Sequence, residues 1–189
     1  MKRLNIIILI VGIIFFAVSF ILDNLIITQI ALMKNPFFDL VFGWFTSIIN
    51  VFVILILVTT LFLFEEKKRE WIFPLWLSFI ISASAAFVLK LIIARPRPTE
   101  LLYPILNTLS YSFPSLHVMV AFAAVPILNK EFPKIKLFWL AFAVLVAFSR
   151  LYFNVHYLSD VVFGALLGYF IGIFIIYIEE KYRPFKFLK

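Results

Sequence analysis

The chain contains only two histidines, His117 and His156, and each stands among residues that could act with it. Imidazole serves near neutral pH as a nucleophile, a general acid or base, or a metal ligand. His156 lies in "SRLYFNVHYLSD", residues 149–160, together with Arg150, Ser159 and Asp160. Asp160 follows it by four residues. Its carboxylate can accept from an imidazole N–H if the intervening turn is helical. That bond would fix the tautomer and leave the other ring nitrogen free to attack. The plainer reading is that Ser159 or Asp160 simply caps the next helix.

Two further stretches carry polar residues at the ends of apolar runs. In "SFPSLHV", residues 112–118, Pro114 and Ser115 read as a helix start, with Ser115 as N-cap and His117 in the first turn. Such an N-terminus presents free N–H groups and a positive dipole end, a ready site for an anion. Capping alone, with His117 an interfacial ring, is the other reading. In "KLIIARPRP", residues 90–98, Lys90 sits inside an apolar run. A cation there is costly unless it snorkels or meets an anion. Pro96 should end the helix by about Arg95. Lys90 and Arg97 are seven residues apart and would share a face only if the helix continued. Otherwise they are a snorkelling lysine and a rim arginine.

The elements that must position these groups follow from composition. The chain is 65% hydrophobic with 25 Phe and only 14% charged residues, and its mean hydropathy is +1.11. A soluble domain of this composition would be left with large exposed apolar patches. The expectation is an all-α polytopic membrane protein, a single domain over residues 1–189. Segments of about 20 apolar residues can cross a bilayer as helices. Six are expected, at roughly 4–22, 39–64, 71–94, 115–129, 137–154 and 158–178. No small-residue cleavage site follows the first, so it reads as an uncleaved helix rather than a signal peptide. With no Cys there is neither a disulfide framework nor a thiolate metal site.

Of the 17 basic residues, 12 fall on the side of the two termini. The positive-inside rule then places both termini in the cytoplasm. The net charge of +7 reflects this bias and contact with anionic headgroups. Nothing points to nucleic acid, because no basic stripe with interleaved aromatics leaves the membrane. Lys34, Lys90, Arg95, Arg97 and Arg150 remain on the outer side, against the rule.

In this topology the 95–114 and 155–157 connections face one aqueous side. Cations converging on a helix N-terminus describe a pocket for a multiply charged anion, most simply phosphate. The His–Asp pair beside it describes chemistry on that phosphate. A metal site built on the two His and Asp160 is the competing reading. Lys90, Arg97 and Arg150 speak against it, since they already supply the positive charge a metal would bring.

"KLIIARPRP", "PSLH" and "SRLYFNVHYLSD" together resemble the three-part signature of the type 2 phosphatidic acid phosphatase superfamily. That superfamily includes membrane lipid phosphatases and, sharing the same site, soluble vanadium haloperoxidases. The likeness covers about residues 71–178. Lys90, Arg97 and Pro98 match the first part, Pro114, Ser115 and His117 the second, and Ser149, Arg150, His156 and Asp160 the third. Leu116 stands where the family has Gly; its backbone N–H remains. The resemblance implies a six-helix membrane phosphatase that works through a phosphohistidine without a cofactor or metal. His156 would be the nucleophile, Asp160 its orienting partner and His117 the general acid and base. Lys90, Arg97, Arg150, Ser115 and the Leu116 N–H would hold the phosphate oxygens. The expected substrate is a lipid phosphate or diphosphate of the polyprenyl diphosphate, phosphatidic acid or phosphatidylglycerol phosphate class. The expected location is the cell membrane, with the active site at the extracytoplasmic face. A lipid-linked phosphotransferase, passing the phosphoryl group to a second lipid, is the alternative. Residues 25–38 either lie in the interface and shape the entrance or form a plain loop packed on the bundle.

Overall fold

Mostly apolar residues run from Arg3 to Ala31 without Pro, and α1 fills that whole range. The computed structural model describes residues 3–98 and 111–183, and every regular element among them is helical. Residues 99–110 and 184–189, including most of the expected 95–114 connection and the basic C-terminal end, lie outside the described residues.

α1 corrects the reading of residues 25–38 as interface segment or loop. The polar pair Asp23–Asn24 looks like a helix boundary in the sequence, but Asp23 is buried and hydrogen-bonded. The helix therefore continues for two more turns. It stops before Asn35-Pro36, where the Asn35 side chain accepts from the Phe38 N–H at 3.0 Å and starts α2 (Pro36–Thr46).

The second apolar run is not one straight helix. α2 ends at Thr46, Ser47 takes an extended conformation, and α3 (Ile48–Phe52) begins with the Ser47 hydroxyl accepting from Asn50 N–H. A π-helical stretch (Val53–Val58) then leads into α4 (Thr59–Glu65). The axis bends by 51° at the break. A short 3-10 turn precedes α5 (Ile72–Ile93), and α6 (Leu116–Glu131), α7 (Lys136–Tyr152) and α8 (Leu158–Tyr182) complete the bundle.

Four helical stretches among the described residues are long and apolar enough to cross a membrane: Arg3–Ala31, Arg69–Ile93, Pro133–Tyr152 and Leu158–Tyr182. The bent pair makes a fifth if it counts as one span. The expected fourth span is shorter. α6 has 16 residues, about 24 Å of helix against a hydrocarbon core of roughly 30 Å.

α6 is also the most enclosed helix. Val118, Met119, Val120, Ala124, Ile127 and Leu128 are all essentially inaccessible. Around it, Leu75 and Phe79 of α5, Trp139, Phe142 and Val146 of α7 and Ile175 of α8 form the main core. The outer surfaces are apolar instead of polar: Ile7, Ile10 and Ile14 of α1 and Leu137 and Phe138 of α7 are exposed. A surface of this kind is stable only against lipid. The protein is an integral membrane protein.

α6 and α8 meet closely because α8 carries Gly164, Gly168 and Gly172 at four-residue intervals. A Cβ on Gly168 would overlap the Met119 carbonyl, and one on Gly172 the Ala123 carbonyl. Small residues at such spacing let two backbones approach within a membrane. This contact fixes the start of α6 relative to the start of α8, which carry His117 and Asp160 respectively.

Candidate active site

The C-terminal ends of α5 and α7 and the N-terminal ends of α6 and α8 lie at one end of the bundle, and all of the sequence-predicted site residues are there. Lys90 sits in the last turn of α5 and is 4% exposed. The helix stops three residues later: Ala94 adopts a left-handed conformation (φ 47°) and its N–H closes on the Lys90 carbonyl. The Lys90 ammonium donates to the Tyr111 carbonyl, with the Ser112 carbonyl 3.5 Å away. It is thus neither snorkelling to the rim nor loose. Arg97 stands beyond the helix end, and its Nη1 donates to the Val155 carbonyl at 3.2 Å.

Ser112 pins the approach to α6: its N–H donates to the Arg95 carbonyl at 2.8 Å and its hydroxyl to the Pro96 carbonyl at 2.9 Å. Ser115 occupies the N-cap position, as expected, but its hydroxyl makes no capping bond. The oxygen is buried and has no hydrogen-bond partner among the described residues. Its N–H donates to the Asp160 carbonyl at 3.3 Å, tying the two helix starts together. The first hydrogen bond of α6 runs from Met119 N–H to the Ser115 carbonyl, so the N–H groups of Leu116, His117 and Val118 have no intrahelical acceptor. The Leu116 side chain packs against the main core. His117 Nε2 is buried without a partner among the described residues.

Arg150, near the end of α7, is 8% exposed. Its Nη1 donates to the Thr46 carbonyl at 2.9 Å and to the Thr46 hydroxyl, while its Nε has no partner among the described residues. The break at Ser47 is what leaves the Thr46 carbonyl available to it. His156 falls in the short connection before α8, which is bent rather than helical. Its Nδ1 lies 3.4 Å from Asp160 Oδ2, an ion-pair distance without hydrogen-bond geometry. Asp160 also accepts from the Tyr157 N–H at 2.9 Å, so the capping role and the histidine contact coexist. Burial, reinforced by the charges of Arg150, Lys90 and Arg97, holds the His156 imidazole well below its ordinary pKa range.

Lys90, Arg97, Arg150 and His156 all lie near enough to His117 to act on it electrostatically. Among the described residues, no three His, Cys, Asp or Glu side chains are placed to hold a metal ion. A separate crevice of about 790 Å³, lined by Asn5, Asn129, Lys130 and Glu180 among others, opens at the opposite end of the bundle and shares no residue with this cluster.

Three residues at the site escape sequence reasoning about function. Asp23 of α1 and Arg95 join Ser159 and Asp160 in a partly buried network, and Thr46 holds Arg150. Arg95 stands out in the sequence only as an outer cation. Asp23 could have been found as the one carboxylate inside the first apolar run; Thr46 carries no such signal.

The fold and this cluster define a class of membrane protein, and sequence comparison names it. Residues 71–184 match the family model of the PAP2 superfamily, and the chain belongs to that superfamily. Over 130 residues, 65% of the chain and 62% of the relative, it is 34% identical to an undecaprenyl-diphosphatase of Sulfolobus acidocaldarius. It is 33% identical to phosphatidylglycerophosphatase B of Bacillus subtilis over 110 residues, 52% of the chain and 53% of that protein. The chain thus spans a little more than half the length of these curated relatives. Its fold resembles the crystal structure of a transmembrane PAP2-type phosphatidylglycerolphosphate phosphatase from Bacillus subtilis, with a TM-score of 0.71, 24% identity and coverage of 94% of this chain and 98% of that one. Aquifex aeolicus LpxE follows, with a TM-score of 0.67, 29% identity and coverage of 82% and 95%.

Proposed function

We propose that this protein is a metal-independent membrane phosphatase that hydrolyses a lipid phosphate or lipid diphosphate through a phosphohistidine on His156. The observation that carries this reading is a set of buried polar atoms without partners among the described residues. Ser115 Oγ, His117 Nε2 and Arg150 Nε all belong to the bundle end that carries Lys90 and Arg97. Buried polar groups are normally satisfied, so such a set is built for something that arrives. An oxyanion with several oxygens satisfies both the donors and the positive charge.

In the mechanism, the His156 nitrogen that does not face Asp160 attacks phosphorus, and a P–N bond forms as the P–O bond to the lipid breaks. Lys90, Arg97, Arg150, the Ser115 hydroxyl and the Leu116 N–H hold the equatorial oxygens, where charge must be stabilised. Asp160 orients the imidazole and balances the positive charge it gains. His117 gives its proton to the leaving oxygen. It then takes one from the water that breaks the P–N bond and releases phosphate. The negative charge of the bound phosphate favours the imidazolium this requires.

The topology proposed is six spans, with α6 a short span enclosed by the others. Both termini are cytoplasmic and the site faces the extracytoplasmic side of the cell membrane. A lipid can keep its tail in the bilayer while its headgroup enters between the helix ends. The names of the relatives point to polyprenyl diphosphates and phosphatidylglycerol phosphate, and phosphatidic acid shares their chemistry. The test is phosphate release by the purified protein from these three lipids, in the presence of EDTA and with His156→Ala alongside. Release from at least one substrate, insensitive to EDTA and lost in His156→Ala, is expected. Phosphate appearing only on a second lipid would instead establish a transferase.

A further inference from the structure

One buried carboxylate has no part in the chemistry just described. Asp23 lies on the apolar helix α1 and is 4% exposed. A carboxylate in such a place is costly unless fully paired, and this one is. Its Oδ1 accepts from the Ser159 N–H at 2.8 Å, and its Oδ2 from the Ser159 hydroxyl at 2.6 Å and from Arg95 Nη2 at 2.7 Å. Arg95 Nη1 in turn donates to the Ser159 hydroxyl at 2.6 Å and to Asp160 Oδ1 at 2.7 Å. The guanidinium lies 3.8 Å from the centre of the Tyr157 ring. Asp160 uses its other oxygen toward Tyr157 N–H and His156. A continuous path therefore runs from the first helix to the imidazole.

The charge balance of this network matters. Arg95 alone opposite Asp160 would form a one-to-one pair and neutralise the carboxylate on which His156 depends. With Asp23 on the other side, one guanidinium is shared between two carboxylates. Asp160 keeps negative charge to offer the ring.

We propose that Asp23 is a positioning residue for the His156–Asp160 pair: through Arg95 and Ser159 it sets both the placement of the Asp160 carboxylate and the charge left on it. The proposal rests on the reading of His156 as nucleophile. The phosphate oxygens are held by other residues, so losing Asp23 should slow the chemical step and leave substrate binding almost untouched.

The experiment measures kcat and KM for Asp23→Asn, Arg95→Gln, the double variant and His156→Ala, each in detergent and corrected for the folded fraction by thermal unfolding. Asp23→Asn keeps the side chain's shape and removes its charge, so it reports even where Asp23→Ala fails to fold. The expected result is a fall in kcat of roughly 10–100-fold, the scale of one or two charge-assisted hydrogen bonds, with KM within about threefold. The double variant should cost no more than the worse single, because both act through one network. Unchanged kcat per folded molecule, a raised KM with kcat intact, or additive losses in the double variant would each overturn the proposal. If His156→Ala stays active, it is the phosphohistidine reading that fails, whatever Asp23→Asn does.

Discussion

A general acid matters in proportion to the basicity of the group it helps to leave. His117, at the head of α6 with Nε2 unengaged among the described residues, is proposed to be that acid. From a phosphate monoester the leaving group is an alkoxide, which departs poorly without a proton. From a lipid diphosphate it is a lipid phosphate, which can leave as an anion. His117→Ala is therefore expected to slow the first step by about 10²–10⁴-fold for phosphatidic acid and by much less for a polyprenyl diphosphate. Single-turnover release of the lipid product is the measurement, since water activation in the second step suffers with both substrates and can mask the difference. Equal slowing of the two would take the acid role away from His117.

At the level of elements, the proposed chemistry rests on how closely α8 approaches α6, because these helices carry Asp160 and His117. Gly168 lies where a methyl group would overlap the Met119 carbonyl, a backbone atom that cannot turn aside. Gly43 of α2 has nothing nearer to its missing Cβ than Phe153 at 4.0 Å. Gly168→Ala should lower stability by about 1–3 kcal/mol, the usual cost of overpacking. Gly43→Ala should be neutral or should gain up to about 1 kcal/mol from helix propensity. Thermal unfolding of the two variants in the same detergent makes the comparison. A Gly168→Ala protein as stable as Gly43→Ala would mean that the interface is looser than its geometry.

For the whole molecule, the proposed topology turns the site end of the bundle outward. The turn between α1 and α2 holds Lys34, and Asn35 beside it hydrogen-bonds Tyr152 at the site end of α7. Lys134, exposed between α6 and α7, marks the opposite end. The chain has no native Cys, so Lys34→Cys and Lys134→Cys each give one thiol. An impermeant maleimide added to intact cells should label the first and spare the second until the membrane is opened. Labelling of both from outside would refute the six-span arrangement and the outward-facing site together.

The apolar, helical character of the chain and the histidines, cations and Asp160 of the candidate site were legible in the sequence. Each rests on residue type and local spacing. A run such as Leu137–Phe148 can only be stable in lipid or in a core, and "SRLYFNVHYLSD" places Arg150, His156 and Asp160 within eleven residues. Helix boundaries near polar residues were less legible. Asp23 marks a helix end by composition alone, yet it is satisfied by Ser159 and Arg95, far away along the chain, so α1 runs on to Ala31. The break at Thr46–Ser47 is likewise hidden, because its carbonyl is taken up by Arg150 from another helix. Sequence alone thus determined which groups are available and at which end of the bundle they gather. Tertiary structure decided which are already committed: Arg95 to the two carboxylates, Lys90 to the Tyr111 carbonyl, and the Ser115 hydroxyl to no partner among the described residues. The reason is physical. A buried polar group takes whichever partner packing brings to it, and in a helical bundle that partner is seldom a neighbour in sequence.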